Sequence, residues 1–469
     1  MKTLTLPICL LLSIAAFAGG VLDDASLKKA AEMRDDALKG TRAYEIVESL
    51  TTEVGPRRAG TPGDTAGVKW AEAKLKELGF DKVWLEPVTF PKWNRGDALA
   101  RITSPFPQPL EVTGLGYSEG TPDEGIEAEI VTFATLDDLR KADPEKVKGK
   151  IAFINHRMTE SGDYGKVVPG RTQGAGVAAS KGAVALLIRS VGTDSHRFPH
   201  TGVMTYPEGD SFAKIPAAAM SNPDANLIEN MLKRGKPIVI RMHMTSRSGG
   251  MFTSHNVIGE ITGSEKPEEV IVVGAHLDSW DLGTGALDDG AGVAIVTEAA
   301  RIIGQLKQRP RRTIRVVLFA NEESGIYGGN AYAETHKNDL DNHIIGAESD
   351  FGAGPVVSFM PRVSENALPT MKQIHSVLEP LGIKMGPNMG WGGPDLGPIR
   401  ELGMPVATLR QDGRDYFHFH HTADDTLDKI DPKKLDQNVA AYVVFAYLTA
   451  QATIPFRDLE TGDSVIHND

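Results

Sequence analysis

The chain has almost no cysteine. Cys9 is the only one in 469 residues and lies inside an apolar N-terminal stretch, so a disulfide framework is excluded. No Asn-x-Ser/Thr acceptor occurs either, which leans toward bacterial rather than eukaryotic export. Long basic runs are missing: 50 Lys+Arg stand against 62 Asp+Glu, a net charge of −12, and nothing is arranged to neutralise a phosphate backbone. A nucleic-acid partner is not expected. Beyond the N-terminus no apolar run approaches the ~20 residues needed to cross a bilayer.

What is present begins with MKTLTLPICLLLSIAAFAGG, which has one early lysine, an apolar stretch from Leu4 to Phe17 and the small-x-small triplet Ala16-Phe17-Ala18. That pattern reads as a cleavable secretory signal over 1–18, too short for a membrane anchor, and predicts a secreted or periplasmic protein. The remainder, in a chain 41% hydrophobic and 24% charged overall, has globular composition with length for two or three cores.

Apolar and amphipathic periods divide the chain further. Residues 19–104 read as the first part of an α/β domain, with a Gly/Pro loop EVGPRRAGTPGD, the helix TAGVKWAEAKLKELG and a strand near VWLEPVTF. Shorter strands around the Gly/Ala helix QGAGVAASKG mark 105–250 as a separate insert. From 251 to 455 apolar strands alternate with amphipathic helices, which predicts a mainly parallel sheet sandwiched by helices. A polar tail, 456–469, follows.

The charges fall where strands of that sheet end. His276 and Asp278 follow EVIVVGA, Glu322 and Glu323 follow TIRVVLFA, Asp350 follows NHIIGAES, and His420 and His421 follow PVATLRQ after a short loop. Ligands of open α/β sheets bind beyond the carboxyl ends of the strands. Each element alone has a plain explanation: a His-x-Asp turn, a solvated helix start at the glutamates, helix capping by Asp288 and Asp289, a surface histidine pair. Together they place imidazoles and carboxylates at one sheet edge, and buried charges need compensation. Divalent zinc, manganese or cobalt suits that donor set, and five ligands with one shared carboxylate suffice for two ions about 3.5 to 4 Å apart. Arg410 and Arg414 are candidate clamps for a substrate carboxylate or else solvated loop residues. Asp412, Asp415 and Asp424 could instead meet an ammonium. Trp391 either walls a pocket or packs in the core.

HLDSWDLGTGALDDGAG, FANEESGIYGG, AESD and FHHTADDT stand in the order, and at close to the separations, of the co-catalytic di-zinc exopeptidases, a family that includes bacterial aminopeptidases and glutamate carboxypeptidases. The first motif is most similar to the carboxypeptidase Q branch. The resemblance covers about 40–100 and 250–455, and the middle segment resembles a protease-associated insert. It implies two zinc ions per chain, with cobalt or manganese as substitutes: His276 and Asp350 on one, Glu323 and His421 on the other, Asp288 bridging. Glu322 falls at the family's general base, Asp278 at a carboxylate orienting the ligand imidazole, and Asp289 at a residue that follows the bridge through a cis peptide. His420 stands where some relatives have tyrosine. The implied activity is hydrolysis of dipeptides or short peptides by a carboxypeptidase or dipeptidase, with a homodimer as the implied assembly. Aminopeptidase action, a non-peptidase amidohydrolase or cyclase, and a metal-free receptor-like binding module are the competing readings.

Overall fold

The computed structural model describes residues 22–206 and 212–457. The expected signal at 1–18, with Cys9, and the tail beyond residue 457 lie outside the described residues. No helix among the described residues is long and apolar enough to cross a membrane.

The fold is mixed α/β and contains two eight-stranded sheets. Across the first, the strands run Lys82–Asn94, Arg247–Ile261, Arg312–Phe319, Lys266–His276, His343–Glu348, Val406–Gln411, Val356–Arg362 and Lys384–Met385. Its four central strands, Arg312–Phe319 to Val406–Gln411, are mutually parallel. The long pair Lys82–Asn94 and Arg247–Ile261 joins them antiparallel on one side, and Val356–Arg362 does so on the other. The sheet is therefore parallel at its centre and mixed at its flanks.

The central strands read as apolar runs because both faces are covered. Every residue of Arg312–Phe319 is buried, as are the last seven of Lys266–His276. On one face Ile271, Val273, Ile314, Val316 and Leu318 pack against the helices Asp24–Ala37, Ala291–Gly304 and Pro432–Gln451. Their alternates Val270, Val272, Val317 and Phe319 meet Tyr332 and Ala333 of Tyr327–His336 and Ile399 of Gly397–Glu401. At about 1.5 to 3 kcal/mol per fully buried aliphatic or aromatic side chain, these layers hold the parallel strand ends rigidly at one edge.

Residues 98–244 build the second sheet, whose central order is Ala98–Ser104, Val239–Met244, Ile126–Phe133, Ile151–Ile154, Ala185–Arg189 and Ala217–Met220. The helix Tyr164–Ser180 covers one face and Asn222–Leu232 the other. The Gly/Ala character of the first helix has a packing reason: a Cβ on Gly174 would lie 2.9 Å from Ile154 Cδ1 and 3.1 Å from Leu186 Cδ2. This sheet starts one strand earlier than the change in composition at residue 105, because Ala98–Ser104 is half-exposed and resembles the strand before it. Tyr416 and Phe417, from the segment leading to the histidine pair, pack into its core.

Candidate metal centre

His276 ends its strand beside Phe319 of the parallel neighbour, so the residues that follow both leave the sheet at one edge. Asn321 turns the second chain at φ +55°, delivering Glu322 and Glu323. Asp350 emerges two residues after the strand His343–Glu348, and His420 and His421 follow the short helix Tyr416–Phe419. These side chains meet around Asp288. Its Oδ1 is 3.1 Å from His276 Nε2, which is itself 3.5 Å from Asp350 Oδ1. Its Oδ2 is 3.3 Å from His421 Nε2, which is 2.9 Å from Glu323 Oε2. One carboxylate thus faces two half-sites, each with one imidazole and one further carboxylate. His420 is close as well: its ring stacks on His421 with centroids 3.5 Å apart, and its Nε2 is 3.8 Å from Asp288 Oδ2.

Asp288 and Asp289 divide the capping and ligand readings between them. Asp289 Oδ1 accepts the Gly292 N–H in the first turn of Ala291–Gly304, and its Oδ2 accepts the His276 N–H. Their peptide bond is cis. Asp288 points the other way, into the basin. Asp278 also has two jobs. Its main-chain carbonyl is 3.0 Å from His276 Nδ1, nearer than its carboxylate at 3.6 Å, while Oδ1 accepts the Glu322 N–H at 3.0 Å. The ring is oriented chiefly through the backbone, and the carboxylate fixes the start of the Glu322-Glu323 turn.

Two residues to which the sequence assigned no role brace the loop between His276 and Asp288: Arg57, outside the motifs, and Asp425, near the end of FHHTADDT. Arg57, fully buried, donates from Nε, Nη1 and Nη2 to the carbonyls of Leu277, Thr284 and Gly285. Asp425 accepts the Leu287 and Asp288 N–H groups. Burial, and then the nearby Asp288, pushes Asp425 up to about 7.

The basin concentrates negative charge away from water. Burial, joined by repulsion from Asp288, pushes Glu323 up to about 7. Burial, with Asp350 and Glu323 adding to it, pushes Glu322 well above the usual carboxylate range. For His421 burial acts downward, but Glu323 and Asp288 overcome it and hold the ring up to about 9. Asp288 Oδ2 and Glu323 Oε1 are buried without a hydrogen-bond partner among the described residues. Orphaned buried carboxylate oxygens are acceptors that a cation satisfies. The groups Asp288, His420, His421 and His276, Asp288, Asp350 each have ligand atoms within 4.8 Å of one another.

Arg410 and Arg414 do not reach this basin. Both are exposed, and Arg414 pairs with Asp412 at 2.5 Å. Asp415 is exposed too, since the turn before Tyr416 points its polar residues outward while Tyr416 and Phe417 turn in. Trp391, 53% exposed, is not a core residue. A second buried guanidinium, beside His421, is Arg171 from the Tyr164–Ser180 helix: Nη1 is 3.5 Å from His421 Nδ1, Nη2 donates to Tyr164 Oη, and Nε has no partner among the described residues. Arg171 sits in the middle of that helix, two residues before the Gly/Ala run QGAGVAASKG, and nothing local in the sequence marks it.

Residues 256–446 match the model of peptidase family M28. Human carboxypeptidase Q is 38% identical over 409 residues, covering 87% of this chain and 85% of the relative. Among solved structures, one described as a peptidase M28 precursor from Shewanella amazonensis is 53% identical, with a TM-score of 0.91 over 93% of this chain and 99% of that one. A zinc aminopeptidase of Bacillus subtilis shares the fold at 20% identity, with a TM-score of 0.62 over 86% of this chain and 94% of the other.

Proposed function

This chain belongs to peptidase family M28, and from that premise we propose that it is an exported two-zinc exopeptidase acting on dipeptides and short peptides, with the carboxylate-reading preference of a carboxypeptidase. The observation that carries the two-metal reading is Asp288, whose two oxygens face separate His–carboxylate pairs. His276 and Asp350 would hold one ion, Glu323 and His421 the other, and Asp288 both. Nitrogen and carboxylate donors without thiolate fit zinc, with cobalt or manganese as substitutes. Such ions lower the pKa of water toward neutrality and polarise a peptide carbonyl.

The protein's own part is positional and acid–base. Glu322, held at its backbone by Asp278, accepts a proton from the attacking water and delivers it to the leaving amine. The second sheet and its helices, residues 98–244, which we read as a protease-associated-like insert, supply Tyr164 and Arg171 to the basin wall. Arg171 replaces the exposed loop arginines as the cation available to a substrate carboxylate. One observation favours aminopeptidase action instead: Glu348 Oε1 and Asp395 Oδ2 are buried without partners among the described residues, Glu348 beside Asp350 and Asp395 beside Glu348, and could compensate an ammonium.

Chelation should abolish hydrolysis, and zinc, cobalt or manganese should restore it; full activity after thorough metal removal would sink the two-metal reading. A free dipeptide, its C-terminal amide and its N-acetyl form then separate the termini. Blocking the carboxylate should stop turnover, whereas brisk cleavage of the amide would establish the amine as the group that is read.

A further inference from the structure

The second sheet does more than stand beside the metal basin. Its loop between Ala185–Arg189 and Ala217–Met220 grips the main chain of the histidine pair. Thr201 N–H donates to the His421 carbonyl at 3.0 Å, and His421 Nδ1 is 3.2 Å from the Thr201 carbonyl, closing a reciprocal pair. One residue earlier, His200 Nδ1 is 2.6 Å from the His420 carbonyl, while its Nε2 is 2.6 Å from Asp194 Oδ2. Both His200 and the Asp194 carboxylate are buried, at 0% and 2% side-chain exposure. Asp194 is held in turn by the His196 N–H and the Asn222 amide. His200 fits tightly over Gly192, where a Cβ would come within 2.2 Å of its ring.

This grip acts on a backbone that needs one. His421 has φ +63°, the left-handed region that a non-glycine residue enters at a cost. The Thr201 carbonyl takes the hydrogen of Nδ1, which selects the tautomer whose Nε2 lone pair is free and aims it between Asp288 and Glu323. We infer that His200, with Asp194 behind it, is a positioning residue for the half-site of Glu323 and His421, so that the inserted sheet is a working part of the metal centre. The inference rests on the two-metal reading above. It goes beyond it in assigning one half-site, and not the other, to the insert: no contact of this loop reaches His276 or Asp350 among the bonds described.

The test compares wild type, His200→Ala, His200→Asn and Asp194→Asn in the full chain. Asparagine at 200 can still donate to the His420 carbonyl from nearly the Nδ1 position. Zinc retention is measured by competition with a graded chelator, and the loaded cobalt forms are compared by their visible spectra. His200→Ala should weaken one of two ions by about 10 to 100-fold and leave the other at wild-type affinity. It should change the cobalt bands of that ion alone and lower kcat with KM within about twofold. His200→Asn should recover most of the affinity, and Asp194→Asn should fall between. If His200→Ala does not fold, the asparagine variants decide by the same readouts. A lower Tm with both ions held as in wild type would overturn the inference, as would equal weakening of both. Wild type that keeps its activity under chelation would instead count against the two-metal reading itself.

Discussion

Glu322 and Glu323 are neighbours of identical chemistry, and the difference between them is set by what each side chain faces. Glu323 Oε2 points at His421 Nε2, whereas Glu322 has no ion-pair partner among the described residues and shares the basin with Asp350 and Glu323. Glutamine at 322 keeps the shape and a hydrogen-bonding oxygen but cannot take a proton, so it should retain both metals and lose about 10² to 10⁴-fold in rate. Glutamine at 323 removes a charge that a cation needs and should lose metal before any chemistry is assayed. Metal analysis beside single-turnover kinetics checks the pair, and a reversed pattern would mean base and ligand are exchanged. The motif was readable because the residues of the basin leave strand ends in fixed order, so their spacing survives in the sequence. Arg171 and His200 act from over 200 residues away through a tertiary contact, and nothing local announces them.

At the scale of elements, the central strands and main helices were legible because two covered faces force long apolar runs and a helical period. The flanking strand Val356–Arg362 was not, since its burial alternates weakly and it pairs antiparallel at the side of a parallel core. The loop 277–285 was legible only as a glycine-rich string, and what gives it one conformation is Arg57. A guanidinium can serve three carbonyls at once, and burial is resisted here chiefly by Asp425 and Asp278 nearby. Lysine keeps the charge without the fork. Arg57→Lys should therefore fold with a lower Tm and weaker zinc retention, and Arg57→Met should cost about 3 kcal/mol or more by stranding buried carbonyls and acids. Thermal melts with and without added zinc measure both; a methionine variant as stable as wild type would remove Arg57 from the bracing role.

For the whole molecule, the two sheets meet beside the basin around Asp288. Tyr164, on the helix covering the second sheet, stacks on Phe417 with centroids 4.9 Å apart and meets the His420 ring edge-on at 5.8 Å, while Phe417 and Tyr416 bury themselves in the core of that sheet. A wall of that kind, fixed by apolar packing rather than by a mobile loop, limits what can approach Asp288 from that side. An extended internal segment of a folded substrate must pass both chain directions through the basin, whereas a short peptide needs only one end to enter. Di- and tripeptides should accordingly be hydrolysed readily, rates should fall as peptides lengthen, and intact casein should yield no internal fragments. Mass spectrometry of timed digests reads this directly. If casein is cut at internal bonds as fast as a dipeptide is split, the insert does not restrict access and the exopeptidase reading fails, whatever the metals do.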